Sequence, residues 1–184
     1  MKLPVFLISL AAETATILLV LLGLVKPEIA LWPPGPNRRG RGILPVLFYL
    51  SGFSLILLGI LDWGAGAFPA WLRAAGALPW LVGNILAIWG GWTLGTQGTH
   101  GGNPGLVTTG PYRWTRNPQY LGFILALVGW GLLGGSKLTI LACLGACLPL
   151  YLVPRLEEPW LLENYQDEYL QYLGQVPRFF TSRK

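Results

Sequence analysis

Two short polar segments hold the side chains best suited to chemistry. The first reads Leu106-Val107-Thr108-Thr109-Gly110-Pro111-Tyr112-Arg113-Trp114-Thr115-Arg116-Asn117-Pro118-Gln119-Tyr120, and the second is Arg155-Leu156-Glu157-Glu158. Adjacent carboxylates at the mouth of a helix can hold a cation, and Arg116 or Arg155 can hold a carboxylate. The one histidine, His100, lies in a glycine-rich stretch, where it is either a general base or a solvated loop residue. Cys143 and Cys147 lie four apart in an apolar run and read as small packing residues. No cluster of Cys or His offers a metal set.

The elements that must position these segments are apolar runs long enough for lipid. Leu3 to Val25 is too long for the core of a signal peptide, and no small-residue cleavage site follows it. It reads as a retained helix, able to cross a ~30 Å hydrocarbon layer. The linker Lys26 to Gly42 contains Trp32-Pro33-Pro34-Gly35-Pro36 and then Arg38, Arg39 and Arg41. Its prolines forbid a continued helix, and its arginines forbid burial in lipid. A second span runs from Ile43 to Leu61 and a third from Ala74 to Leu94, the latter with Pro79 and several glycines that suggest a kink or close packing.

After the polar stretch Gly95 to Gln119 come two shorter runs, Tyr120 to Leu133 and Leu138 to Val153, split by Gly134-Gly135-Ser136-Lys137. Each is short for a crossing, so the two fit a tilted pair or a helical hairpin. A hairpin would bring both polar segments to the same mouth. From Leu156 to Leu173, acidic residues alternate with Trp160, Leu161, Leu162, Tyr165, Tyr169 and Tyr172 at spacings of three and four. That pattern predicts an amphipathic helix on the membrane surface. The expected fold is all-α: a polytopic membrane protein with about five transmembrane helices and a C-terminal surface helix. It is a single domain over 1–184, with three N-terminal helices in 1–94 and the catalytic part in 95–184.

Composition agrees. The 184 residues are 53% hydrophobic and 11% charged, against about 25% charged in soluble domains. The net charge of +5 comes from residues in short loops between apolar runs, a pattern of membrane orientation and not of nucleic-acid binding. With five crossings, one side receives Lys26, Arg38, Arg39, Arg41, Arg113, Arg116, Arg155, Arg178, Arg183 and Lys184; the other receives Lys2, Arg73 and Lys137. The positive-inside rule then puts the C-terminus and the Gly95 to Gln119 loop in the cytoplasm and the N-terminus outside. Trp32, Trp63, Trp71, Trp114 and Trp160 read as interfacial belt residues. Glu13, inside the first helix, either touches a bound substrate or sits neutral near the interface.

The stretch Leu106 to Gly122, followed by Glu157-Glu158, Asp167-Glu168-Tyr169 and Val176-Pro177-Arg178, resembles the isoprenylcysteine carboxyl methyltransferase family and related phospholipid-methyltransferase-like proteins. The resemblance covers about Gln97 to Phe180. It implies S-adenosylmethionine as cofactor, with Gln97, Pro104, Gly105, Leu106, Val107, Tyr112, Arg116, Asn117 and Pro118 matching positions of the cofactor site, and Glu157 matching the first glutamate of the family pair. Asn117 stands where the family has histidine and cannot titrate. A family arginine near the substrate aligns at Val153, leaving Arg155 as the nearest candidate for that catalytic role; two residues on a helix rotate a side chain by roughly 200°.

The chemistry is coherent with that resemblance. Glu157 and Glu158 suit the cationic groups of the cofactor, Arg116 its carboxylate, and Tyr112 or Trp114 its adenine. Methyl transfer is a one-step displacement, governed by positioning and exclusion of water. The implied acceptor is lipophilic, either a prenylcysteine-type carboxylate or a lipid amine reached through the bilayer. A membrane reductase of the sterol-reductase type and a non-catalytic transporter or scaffold are the rival readings.

Overall fold

The computed structural model describes residues 1–33, 42–100 and 105–180. Five helices account for nearly all of them: α1 (Lys2–Val25), α2 (Ile43–Leu61), α3 (Ala70–Thr99), α4 (Pro118–Gly134) and α5 (Lys137–Gln175). Two single turns, Pro27–Ile29 and Gly110–Arg113, complete the list, and the described residues contain no strand. Helices α1, α2, α3 and α5 are long and apolar enough to cross a membrane, while α4 is a shorter apolar helix of 17 residues. The chain is an all-α polytopic membrane protein.

The helices alternate in direction. At one end Asp62, which ends α2, receives Lys2 of α1 and Ser136 at the start of α5. Gly64 N donates to Gly134 O over 2.9 Å and Ala67 N to Gly135 O over 3.1 Å, tying the α2–α3 link to the α4–α5 turn. At the opposite end Gly23 of α1 lies beside Leu156 of α5, and Trp32 reaches Glu157. Although Lys2 is half-exposed, Asp62 is buried. Burial works to raise the Asp62 carboxyl, but the bonds from Lys2 and Ser136 outweigh it and hold it below its ordinary value.

The tightest pair is α3 with α4, and glycine makes it so. Gly76, Gly83 and Gly90 recur every seven residues, two helical turns, and so line one stripe of α3. A Cβ on Gly83 would sit 2.5 Å from Gly122 O, and one on Gly76 would sit 2.7 Å from Gly129 O. The backbones touch, as they do where small residues replace the missing hydrophobic drive inside lipid. The two short apolar runs are indeed consecutive antiparallel helices, joined at Gly135 (φ 67°) and capped by Ser136, whose Oγ accepts from Leu138 N at 3.2 Å and Thr139 N at 3.3 Å. The close partner of α4 is nevertheless α3, because the glycine stripe faces that way.

Two boundaries differ from the sequence reading. Helix α3 begins earlier, at Ala70, and continues past Leu94 only through a break at Gly95 (φ 75°, ψ 171°) to Thr99. Helix α5 does not stop at Val153: the amphipathic segment is helical, but it continues the last span without a gap. Pro149, Pro154 and Pro159 lie inside it, and the helical dihedrals are broken only at Gln166 (φ 42°, ψ −118°). A proline costs one backbone hydrogen bond but does not end a helix whose neighbours hold it in place. Leu55, Leu58, Ala142, Cys143 and Ala146 form the buried core between α2 and α5, with Val5, Phe6, Leu127 and Trp130 against it.

Candidate functional site

Where α3, α4 and α5 meet on the side of Trp32, they leave a cleft. Leu106, Val107, Tyr112, Arg116 and Asn117 of the α3–α4 loop form one wall, and Glu157, Trp160, Tyr165, Tyr169 and Tyr172 of α5 form another. The loop is held by the end of the chain: Arg116 N donates to Pro177 O over 2.9 Å, while Thr115 Oγ1 and Asn117 Nδ2 both reach Arg178 O, at 2.9 and 3.1 Å. Tyr172 Oη donates to Tyr112 O over 2.7 Å. Asn117 thus serves the loop as a donor to backbone.

Charge on this wall is organised around Glu158. Arg178 meets it with Nε at 2.8 Å and Nη2 at 2.6 Å, a two-pronged contact, and Arg116 Nη1 lies 3.1 Å from Oε1. The Glu158 hydrogen bond holds the Arg178 guanidinium above its ordinary pKa. Arg116 Nη1 also donates to Tyr169 Oη at 3.1 Å, with the guanidinium 5.9 Å from the Tyr169 ring centroid. Its Nε is buried and has no partner among the described residues. Tyr112 is buried too, and desolvation followed by the charge of Glu157 pushes its phenol above the ordinary value, so it stays protonated.

Glu157 points a different way from Glu158. Its Oε1 accepts from Tyr120 Oη and, at 2.5 Å, from Trp32 Nε1. Its Oε2 takes no hydrogen bond among the described residues. Tyr120, Trp32, Thr99 and Gln119 also line a second cavity, an apolar groove running between the helices past Phe48, Leu55, Phe123, Leu127 and Val153 down to Glu13. Cleft and groove therefore share a wall at Tyr120. Among the described residues, the groove has no Lys or Arg in its lining.

The structure gathers Gly105, Leu106, Val107, Tyr112, Arg116, Asn117 and Glu157 around the cleft. Glu158 stands behind it in the arginine pair, and Pro118 is buried under the start of α4. Gln97 is exposed and outside the lining, where Gly98 and Thr99 take its place. Arg155 lies outside both cavities, stacked 4.3 Å from the Tyr151 ring centroid and bonded to Tyr151 O and Oη. Pro104, Arg38, Arg39, Arg41, Arg183 and Lys184 lie outside the described residues. His100 is exposed at the end of α3, its Nδ1 2.8 Å from Thr96 O, and it borders the groove. Sequence reasoning took Trp32 and Trp160 for belt residues, set Tyr169 and Tyr172 on the apolar face of the surface helix, and gave none of these, nor Tyr120, a part in the site. Tyr120 had a signal, since it lies in the Leu106 to Gly122 stretch that carries the resemblance; Trp32 had none. No group of His, Cys, Asp or Glu among the described residues could hold a metal.

A family model described as phospholipid methyltransferase matches residues 71–168. The protein-S-isoprenylcysteine O-methyltransferase of Saccharomyces cerevisiae is 35% identical over 72 residues, which is 39% of this chain and 30% of that protein. The chain thus aligns with under a third of that relative's length. No solved structure matches it. The family match takes in α3, the loop, α4 and α5 as far as Glu168, and so all of the cleft walls except Trp32, Pro33, Tyr169 and Tyr172.

Proposed function

The chain belongs to the phospholipid methyltransferase family, and from that premise we propose that it transfers a methyl group from S-adenosylmethionine to the amine of a lipid lodged in the groove. The reading rests on one relationship: the cleft that holds Arg116 and Glu157 meets an apolar groove at Tyr120, which is bonded to Glu157. The cleft suits the cofactor. Arg116 Nε, buried without a partner among the described residues, fits a carboxylate, and the aromatic wall of Tyr165, Tyr169 and Trp160 fits a purine. When bound, the cofactor supplies an electrophilic methyl on a sulfonium.

The remaining work belongs to the chain. The groove holds the hydrocarbon of the acceptor and keeps water from the reacting atoms. Glu157 presents Oε2 to the acceptor's ammonium and takes one proton from it, which frees the nitrogen lone pair for attack on the methyl carbon. Tyr120 and Trp32 fix the carboxylate from its other oxygen. A carboxylate acceptor would need a cation in the same place; among the described residues Val153 lines the groove there and Glu157 the cleft, which favours the amine. The loop end of the bundle, with Lys26, Arg113, Arg116, Arg155 and Arg178, faces the cytoplasm, and Lys2, Arg73 and Lys137 lie at the other face.

The experiment is label transfer from methyl-labelled S-adenosylmethionine into lipid extract by the purified protein. Label that alkaline treatment does not release as volatile methanol is expected, since N-methyl bonds survive it. Label released by alkali as methanol would identify an ester and a carboxylate acceptor. Failure of the protein to bind the cofactor in calorimetry would overturn the reading altogether.

A further inference from the structure

Glu13 is the one carboxyl in the middle of α1, and the mechanism above makes no use of it. It is 2% exposed yet borders the groove. Its Oε1 accepts from Ser9 Oγ at 2.7 Å and from Ser51 Oγ at 3.5 Å; Oε2 accepts nothing among the described residues. The second bond is at the outer limit of hydrogen-bond length, so the Ser51 hydroxyl is loosely held. Thr16, also on the groove, is already tied to Ala12 O at 2.7 Å. Facing Oε2 is Gly145, where a Cβ would lie 2.6 Å away. The space for the carboxyl therefore exists because α5 has no side chain there. An ionisable group inside an apolar span is costly and ordinarily meets a polar partner, and half of this one's bonding capacity is unmet.

Its depth can be read on two helices. Glu157 lies level with Gly23, since Gly23 is beside Leu156. Glu13 is ten residues up α1 from Gly23, about 15 Å at 1.5 Å per residue, and Gly145 is twelve residues up α5 from Glu157, about 18 Å. The two agree.

Resting on the reading of the groove as the acceptor site, we infer that Glu13 and Ser51 form a specificity contact for a hydroxyl carried on the acceptor's chain about 15 Å from the methylated atom. A hydroxyl is the group that satisfies both partners: it donates to Glu13 Oε2 and accepts from Ser51 Oγ. Plain hydrocarbon leaves both unmet, and a bare carbonyl can only accept.

The test compares two lipid amines with the same headgroup and chain length, one saturated and one bearing a hydroxyl about 15 Å from the nitrogen. The natural chain is expected to show a KM about ten-fold lower for the hydroxylated amine, the worth of one hydrogen bond to a charged or buried partner. In Glu13→Leu the ratio of the two KM values should fall close to one. Ser51→Ala should lower the ratio partway, and it supplies the answer if Glu13→Leu does not fold; melting temperature and cofactor affinity report folding. Equal KM values for the two amines in the natural chain, or a ratio unchanged in the variants, would overturn the inference while leaving the amine reading intact. Methylation of neither amine by protein that binds the cofactor would overturn that reading, and this inference with it.

Discussion

Tyr120 donates its phenol to Glu157 on the wall that the cleft and the apolar groove share. Tyr120 opens α4 and Glu157 lies well along α5, so the bond also fixes how those two helices meet at the loop end. Replacing Glu157 by Gln keeps its volume and its bonds from Tyr120 and Trp32 but removes the charge. Turnover or ligand affinity should fall roughly ten- to a hundred-fold, the loss of one charge-assisted contact. The melting temperature should barely move. Calorimetry with S-adenosylmethionine, beside single-turnover label transfer, would separate a cofactor role from an acceptor role. Full activity in well-folded Glu157→Gln protein would remove the residue from the site.

The glycine stripe makes a prediction about stability alone. A Cβ on Gly83 would press on the backbone at Gly122 and Ala126, and backbone cannot yield as a flexible side chain can. Gly83→Val should therefore destabilise the protein by about 1–3 kcal/mol or more, the cost of overpacking. Gly174 has nothing within 4 Å of its added Cβ, so Gly174→Ala should cost little. Thermal unfolding in one detergent, with both variants side by side, checks the contrast; equal melting temperatures would mean that α3 and α4 pack less closely than described.

Much of this was legible in the sequence because lipid imposes simple patterns. Apolar runs gave α1 and α2 with their boundaries intact, since Lys26 and Asp62 are polar stops that a bilayer enforces. The end of α5 was not legible: a change from apolar to amphipathic composition marks where the solvent changes, not where the backbone turns. The loop residues of the cleft were legible as a motif. Trp32 was not, because its place beside Glu157 depends on how α1 packs against α5 across 125 positions of sequence.

Asp62 predicts a pH dependence. Its carboxyl is held below the ordinary value of 3.8, so it contributes stability above that pH, and the contribution is lost as pH falls through the lower folded value. Asp62→Asn should lower the melting temperature at neutral pH by about 2–4 °C, close to 1 kcal/mol for a chain of this size. The gap between the two proteins should narrow below about pH 4, where the unfolded carboxylate is itself protonated. A gap that stayed constant from pH 7 to pH 3 would mean that the tie to Lys2 and Ser136 carries no charge-dependent stability.

The two candidate arginines are predicted to behave oppositely. Arg116 lines the cleft, and its buried Nε has no partner among the described residues, although Nη1 is engaged by Glu158 and Tyr169. Arg155 is four residues from Tyr151 on the outer face of α5, where its guanidinium is satisfied by Tyr151 and touches neither cavity. Arg116→Lys keeps a positive charge but cannot offer the planar pair of donors that a carboxylate accepts. Cofactor affinity should drop about ten- to a hundred-fold, again the scale of a charged hydrogen bond. Part of any loss could come through Glu158, so Glu158→Gln is the companion: it disturbs the arginine pair without touching the Nε atom and should cost less than Arg116→Lys. Arg155→Ala should leave cofactor affinity and transfer rate within about two-fold, since a half-exposed side chain outside the site contributes little. The measurement is isothermal titration of the three variants with S-adenosylmethionine, alongside initial rates of label transfer. A large loss in Arg155→Ala with Arg116→Lys unaffected would reverse the assignment, and would mean that α5 is rotated in the working enzyme so that Arg155 points into the groove.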